Sequence, residues 1–328
     1  MTTIHGIHHI TAITSSAEKI YDFFTFILGM RLVKKTVNQD DIQTYHLFFA
    51  DDEGNAGTDM TFFDFKGISK AVHGTNEISR SGFRVSNNKA LEYWIKRFDK
   101  YQVKHTDIKE MFGRKYIFFY DFDDQPYALF SDENLNGVKP GKPWKKGPVP
   151  DEYSIIGLGP VFLTVNRLDY MQKVLVDVMG FEKVSKEGQY HLFEVGLGGN
   201  GGSIIVEENI ILPPHRQGFG GVHHLAFRVT STEDIHEWEN YLFNLGFQTS
   251  GYVDRYYFES LYSRLYPGIL FEFATDGPGF IDHEETYETL GETLALPPKY
   301  MNNRAYVESV VRQFDTKRSD KTFKKEYL

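Results

Sequence analysis

Apolar and polar positions along the chain change period in a fixed order, and that order recurs. From Gly6 an extended apolar stretch leads into a pattern in which Ile20, Phe23, Phe24, Ile27 and Leu28 fall at i, i+3, i+4, i+7 and i+8. That is one stripe of a 3.6-residue period, hence an amphipathic helix. Ser15 with Glu18 reads as a capping box before it, and Gly29 as the residue that ends it. Three short strand-like runs follow, so the unit is β-α-β-β-β.

The unit is present four times. Gly6 stands as far before Gly29 as Gly157 does before Gly180, and Tyr45-His46-Leu47-Phe48 is echoed by Tyr190-His191-Leu192-Phe193. Gly82-Phe83-Arg84-Val85 and Ala226-Phe227-Arg228-Val229 are each followed at one interval by a tryptophan, Trp94 and Trp238. In the fourth copy Ser231 caps a helix running to about Leu245, and strands are expected over 248–253, 258–266 and 269–275. The fold class is therefore α+β. An N-terminal pair of modules is expected over 1–135, a Gly- and Pro-rich linker over 136–153, a C-terminal pair over 154–280 and an extension over 281–328. Within the extension a helix is expected over 304–313, with a charged tail that lies on the surface or frays.

Composition then removes function classes. Of 328 residues 41% are hydrophobic and 25% charged, an ordinary folded composition. The net charge of -9 repels phosphate backbones and argues against a nucleic-acid partner. With no Cys, disulfides, thiolate zinc sites, iron–sulfur clusters and cysteine nucleophiles are excluded together. Any metal must use His and carboxylate. The opening Met1-Thr-Thr-Ile-His has no basic start before an apolar stretch, and no apolar run is long enough to span a bilayer. A cytoplasmic protein without a membrane partner is expected; a homo-oligomer is allowed but not required.

The histidines are distributed unevenly over the repeat. His8-His9 aligns with Gly159-Pro160 in the third copy, and His223-His224 with Ser79-Arg80 in the second. The scaffold does not need histidine there, so copies one and four are expected to share a site and copies two and three to form a second barrel without one. Period-two alternation sends His8 and His223 toward the helices, and His9 and His224 toward the more polar side. Glu272 alternates with Phe271 and Phe273, a costly place for a carboxylate unless a cation pairs with it. His9, His224 and Glu272 are thus the expected metal ligands, two His and one carboxylate, the donor set of non-haem Fe(II) oxygenases. Asp64, between Phe63 and Phe65, reads as the copy-one counterpart of Glu272 and would be a fourth ligand in an isomerase. His46 and His191 read as scaffold, and 198–202 as a hairpin tip, since no helix follows it to make a phosphate loop.

These residues resemble the vicinal oxygen chelate superfamily, which holds glyoxalase I, bleomycin-resistance proteins and type I extradiol dioxygenases. The runs Gly6-Ile-His-His-Ile-Thr11, Tyr45-His-Leu-Phe-Phe-Ala-Asp51, Gly57-Thr-Asp-Met-Thr-Phe62, Gly220-Gly-Val-His-His-Leu-Ala-Phe227, Phe271-Glu-Phe273 and Leu296-Pro-Pro-Lys-Tyr300 resemble the hydroquinone-type ring-cleaving dioxygenases. The resemblance implies Fe(II) on His9, His224 and Glu272, and surrounding catalytic residues His8, Thr11, His223, Arg255 and Tyr262. It implies an aromatic diol and O2 as substrates. A glyoxalase-like isomerase and a non-catalytic sequestering protein of the bleomycin-resistance kind are the competing expectations.

Overall fold

The structure is a computed structural model, and its described residues are 3–328. Met1 and Thr2, the start of the opening read above, lie outside the described residues. The first module is β1 (Ile7–Ile13), α1 (Ala17–Asp22), β2 (Arg31–Val37), β3 (Tyr45–Ala50) and β4 (Asp59–Phe63). The second is β5 (Glu77–Val85), α2 (Asn88–Lys100), β6 (Lys109–Met111), β7 (Arg114–Tyr120) and β8 (Pro126–Ser131). The third is β9 (Ile155–Leu158), β10 (Val161–Val165), α3 (Leu168–Lys173), β11 (Glu182–Glu187), β12 (Tyr190–Glu194) and β13 (Ser203–Glu208). The fourth is β14 (Gly221–Val229), α4 (Thr232–Asn244), β15 (Thr249–Asp254), β16 (Phe258–Tyr266) and β17 (Ile269–Pro278).

The modules pair across the chain rather than along it. One sheet has the order β15-β16-β17-β14-β1-β4-β3-β2 and joins modules four and one; the other, β11-β12-β13-β10-β5-β8-β7-β6, joins three and two. The joints are antiparallel, β1 with β14 and β10 with β5. This is the arrangement the distribution of histidines predicts. Each sheet curls with its helices on one side, where Ile10, Ala12, Phe24, Trp94 and Trp238 share a continuous apolar core. The concave sides carry separate clusters.

Local chemistry explains the helices. The Ser231 side chain accepts from Asp234 N while Asp234 returns to the cap backbone, and Gly246 follows α4 with φ +85°. In the first module the cap is Ser16 rather than Ser15: Ser16 Oγ accepts from Lys19 N, and Ser15 Oγ turns away to Asp123 Oδ1 at 2.5 Å. There α1 passes into a π-turn over Phe23–Ile27, closed by Leu28 N to Phe23 O at 2.9 Å. The extra residue in that turn rotates the stripe. Ile20, Phe23, Phe24 and Leu28 stay buried, and Ile27 is left half-buried.

The segment over 136–153 and the C-terminal extension are packed straps. Val138, Trp144 and Val149 are buried. The extension forms α5 (Pro298–Met301) and α6 (Arg304–Val310), the latter shorter than the expected 304–313. Beyond them the chain does not fray: buried Arg318 donates to Leu32 O and Leu290 O, Thr316 Oγ1 donates to Gly291 O at 2.8 Å, and Glu326 pairs with Arg97 at 2.7 Å. Buried backbone carbonyls need donors, and the tail supplies them.

Candidate metal centre and its cavity

Alternation alone places only His9 and His224 on the concave side; a pair of bulges adds their neighbours. In the β1–β14 ladder Ile7 faces Phe227 and His9 faces Ala226, so His8 is an extra residue on β1. Thr11 faces His224 and Ala12 faces Val222, so His223 is the extra residue on β14. A bulge releases its residue from the pleat and re-aims the side chain. Alternation predicts His8 against the helices, and the bulge turns it away from them. Its Nε2 donates to Thr275 O at 2.9 Å and its ring lies 5.3 Å from that of Phe258. His223 lines the cavity.

The bulged histidines orient the others. Thr275 O only accepts, so His8 carries its proton on Nε2 and presents a bare Nδ1. Burial, with His9 beside it, pushes His8 down to about 3, which keeps it neutral. His9 Nδ1, 2.9 Å away, must then donate, which leaves the lone pair of His9 Nε2 facing inward. The second pair repeats the contact, His223 Nδ1 to His224 Nδ1 at 2.8 Å, and burial next to His224 holds His223 down at about 3.

Three lone pairs converge in consequence. His9 Nε2 and His224 Nε2 are 3.2 Å apart, and Glu272 Oε2 lies 3.1 and 3.0 Å from them. The other carboxylate oxygen accepts from Ser260 Oγ at 2.6 Å, while buried Oε2 has no hydrogen-bond partner. Burial raises the Glu272 carboxyl, and a cation at that point, here a proton on His9 or His224, is what holds it well below the usual carboxylate range. Burial lowers His224, opposed by Glu272.

The donor set fits a divalent ion. Metal–ligand lengths of about 2.1 Å place neighbouring corners of an octahedron about 3.0 Å apart, whereas a flat trigonal set would be about 3.6 Å apart. The observed edges of 3.0, 3.1 and 3.2 Å match three adjacent corners of one face. Among the described residues these three form the group able to hold a metal.

Above them opens a cavity of ≈ 380 Å³, the size of a small-molecule site. Its walls are aromatic, with Phe48, Phe63, Phe65 and Phe258 among them. At the mouth Arg255 Nε donates to Tyr262 OH at 3.2 Å and Nη1 pairs with Asp40 Oδ2 at 3.2 Å. The Tyr262 ring meets that of His224 edge-on at 5.8 Å, and burial raises its hydroxyl far above the ordinary tyrosine value. Thr11 lies deeper, its Oγ1 2.7 Å from Thr61 Oγ1. Arg255 is the cavity's one Lys or Arg side chain among the described residues, and it is already paired.

Two readings of the sequence are corrected here. Strand register makes Thr61, not Asp64, the counterpart of Glu272: Ala226, two after His224, faces Glu272, and Thr11, two after His9, faces Thr61. Asp64 is engaged elsewhere, accepting from Tyr45 N at 2.7 Å and pairing with Arg312 at 2.8 Å. The fourth ligand expected of an isomerase is therefore a threonine here. The second correction concerns the Tyr-His-Leu-Phe echo, which is out of register by one residue. Phe48 faces Thr61, whereas Leu192 faces Ile205, its counterpart. A one-residue slip exchanges the faces of a strand. His46 thus lines the cavity, while His191 is buried outside it. The reading of 198–202 as a hairpin link stands, though Asn200, Gly201 and Gly202 are buried. Sequence reasoning also missed Ser260, which period-two alternation from Tyr262 places on the same face.

With the geometry in place, the comparisons are specific. The family model described as Glyoxalase/Bleomycin resistance protein/Dioxygenase superfamily matches residues 6–130 and 157–279. The chain belongs to that superfamily. Within it the chain is 43% identical over 314 residues to "Putative ring-cleaving dioxygenase MhqA" of Bacillus subtilis (strain 168), covering 94% of this chain and 98% of that one. It is 30% identical to the "Chlorohydroquinone/hydroquinone 1,2-dioxygenase" of Sphingobium indicum, over 90% of this chain and 92% of that one. A solved "putative dioxygenase" from Bacillus subtilis subsp. subtilis str. 168 superposes with a TM-score of 0.88 at 35% identity, covering 96% of this chain and 99% of that one. No helix among the described residues is long and apolar enough to cross a membrane.

Proposed function

We propose that the protein is an Fe(II)-dependent ring-cleaving dioxygenase that opens neutral aromatic diols, hydroquinones above all, beside a hydroxyl-bearing carbon and puts both atoms of O2 into the product. The observation that carries this reading is the convergence of three lone pairs, from His9, His224 and Glu272, on one point beneath an aromatic cavity. Relatives named for ring cleavage support the reaction class. Iron bound there supplies the route by which an electron-rich ring reacts with triplet dioxygen.

The chain's own residues have separate tasks. His8 holds His9 in the tautomer whose Nε2 faces inward. Ser260 restrains Glu272 so that one oxygen is offered. His223, on the cavity wall, accepts from His224 at Nδ1 and so holds that ring as His8 holds His9, keeping its own proton on Nε2 to offer an oxygen of the incoming diol. Arg255 and Tyr262 donate toward a diol oxygen, and Thr11 braces the floor through Thr61. The walls exclude water and stack on a planar ring. Beyond Arg255, whose charge Asp40 balances, the lining among the described residues holds no Lys or Arg to pair with a carboxylated ring, so uncharged diols are favoured.

The test is oxygen uptake by protein loaded with Fe(II), on a panel of hydroquinones and catechols. Consumption of one O2 per diol, with loss of the ring's absorbance, is expected. Stoichiometric iron without uptake on any diol would overturn the proposal. The isomerase reading lacks its fourth carboxylate, since Thr61 stands in that place.

A further inference from the structure

We propose that His46 is a substrate-binding residue whose Nδ1 meets the far hydroxyl of a 1,4-diol, the one across the ring from the metal-bound oxygen. The inference rests on the reading of the site given above and names the diol geometry the cavity is built for.

Three observations fix the imidazole. Its Nε2 is 3.0 Å from Thr61 Oγ1, and that hydroxyl is 2.7 Å from Thr11 Oγ1. Its ring is held between Phe48 and Phe63, with centroids at 4.0 and 4.4 Å. One nitrogen is thus spoken for and the ring plane set, which leaves Nδ1 as the free polar edge. Nδ1 has no hydrogen-bond partner among the described residues, and His46 is half-buried on the cavity wall. His191 offers the contrast, because its unpartnered Nδ1 is sealed in the interior. A partnerless nitrogen turned into an aromatic cavity is a vacancy for a ligand hydroxyl.

The scaffold does not ask for histidine at this position. The ladders β3–β4 and β16–β17 make His46 the counterpart of Ser260, which holds Glu272; the ladder β12–β13 makes it the counterpart of Tyr190 in the other sheet. His46 therefore braces Thr61 as Ser260 braces Glu272, and has a second nitrogen to spare.

Diol chemistry then selects the partner. The oxygens of a 1,2-diol are neighbours, and both reach a single metal. Those of a 1,4-diol lie at opposite ends of the ring, so the second one cannot reach the ion and must be met by protein. Asp40 and Asp41 at the mouth only accept, and Arg255 is paired. A neutral imidazole between two Phe rings donates or accepts as the tautomer requires, and so suits an uncharged hydroxyl.

The experiment compares hydroquinone, catechol and phenol in wild type, His46→Leu and His46→Gln. Binding is read anaerobically by calorimetry on the Zn(II)-loaded protein, and KM and kcat by oxygen uptake on the Fe(II)-loaded protein. In His46→Leu the Kd and KM for hydroquinone should rise about tenfold, the worth of one hydrogen bond. Those for catechol, and the Kd for phenol, should stay within about twofold, and metal content should not change. His46→Gln, which keeps a polar edge, should recover part of the loss. Equal weakening for hydroquinone and catechol, or no change for either, would overturn the assignment. A wild type that binds diols without consuming oxygen would instead sink the proposed reaction, and the binding contrast would still decide the role of His46.

Discussion

The sheet that joins modules one and four carries His9, His224 and Glu272 where the sheet joining two and three carries Pro160, Arg80 and Ala128. The correspondence extends outward. Thr11 and Thr61 answer to Phe162 and Ile205, and Tyr262 and Ser260 to Phe118 and Tyr116. The bulge is shared, because Phe162 faces Arg80 and Leu163 faces Ile78, which leaves Ser79 extra as His223 is. What differs is what fills the concave side. In the second sheet Tyr116 stacks on Phe130 at 5.0 Å, Phe118 meets Phe162 edge-on at 5.7 Å, and the Arg80 guanidinium lies 3.8 Å above Phe118. The first leaves ≈ 380 Å³ open over three convergent donors. One backbone thus supports either a packed core or a reaction chamber. The choice lies in these side chains, because interiors are filled to crystal-like density unless polar groups or a ligand hold them open.

The largest test of this contrast is to give the first sheet the residue of the second. Glu272→Ala, which copies Ala128, should abolish iron binding and oxygen uptake, a loss beyond the ~100-fold typical of changes outside the ligand shell. Its metal-free fold should be no less stable than metal-free wild type, since a buried, unpartnered carboxylate oxygen is removed. Metal analysis with thermal melts in chelator checks both. A retained iron atom would mean the sheets differ for another reason.

Cutting into the filled side should show the reverse pattern. Phe130 is fully buried, and Phe130→Ala should cost about 3–5 kcal/mol of stability with kcat/KM unchanged in the protein that remains folded. Urea unfolding measures it, and a loss under about 1 kcal/mol would contradict a packed core. Smaller again is Ser260→Ala. Leaving Glu272 Oε1 without its donor should weaken iron binding about 10–100-fold while catalysis survives at saturating iron.

The smallest effect concerns the extension, which packs beside the first sheet. Arg312 holds the Glu18 carboxyl down at about 2, against 4.5 for the free group. A depressed acid contributes above its unfolded pKa, so this stabilisation is complete above pH 4.5 and is lost as pH falls toward 2. Both side chains are partly exposed, so the gain is under about 1 kcal/mol. The Tm gap between wild type and Glu18→Gln should be visible at pH 7 and gone near pH 2. A gap that persists at pH 2 would remove Arg312 as its cause.

Much of this contrast was legible in the residues themselves. The repeat, the caps at Ser231 and Gly246, and Glu272 standing between two Phe all follow from local pattern, because a polar group on an apolar face needs a partner whatever the fold. His9 and His224 were legible because two copies out of four lacked them. His8, His46 and Asp64 were misread for one physical reason: each depends on register. The bulge that frees His8 is visible only against β14, the slip that separates His46 from His191 only against β4 and β13, and the bond that occupies Asp64 only once Arg312 arrives from the far end of the chain.

The chain by itself therefore determined the kind of element at each stretch, the pairing of modules and the three donors of the candidate centre. These follow from periodicity and from the cost of burying charge, both of which act over a few residues. Only the tertiary structure decided which nitrogen of His9 faces inward, which side His46 takes and which residue stands opposite Glu272. His9 and His224 are separated by 215 positions, and hydrogen bonds between strands that far apart obey geometry no local pattern records.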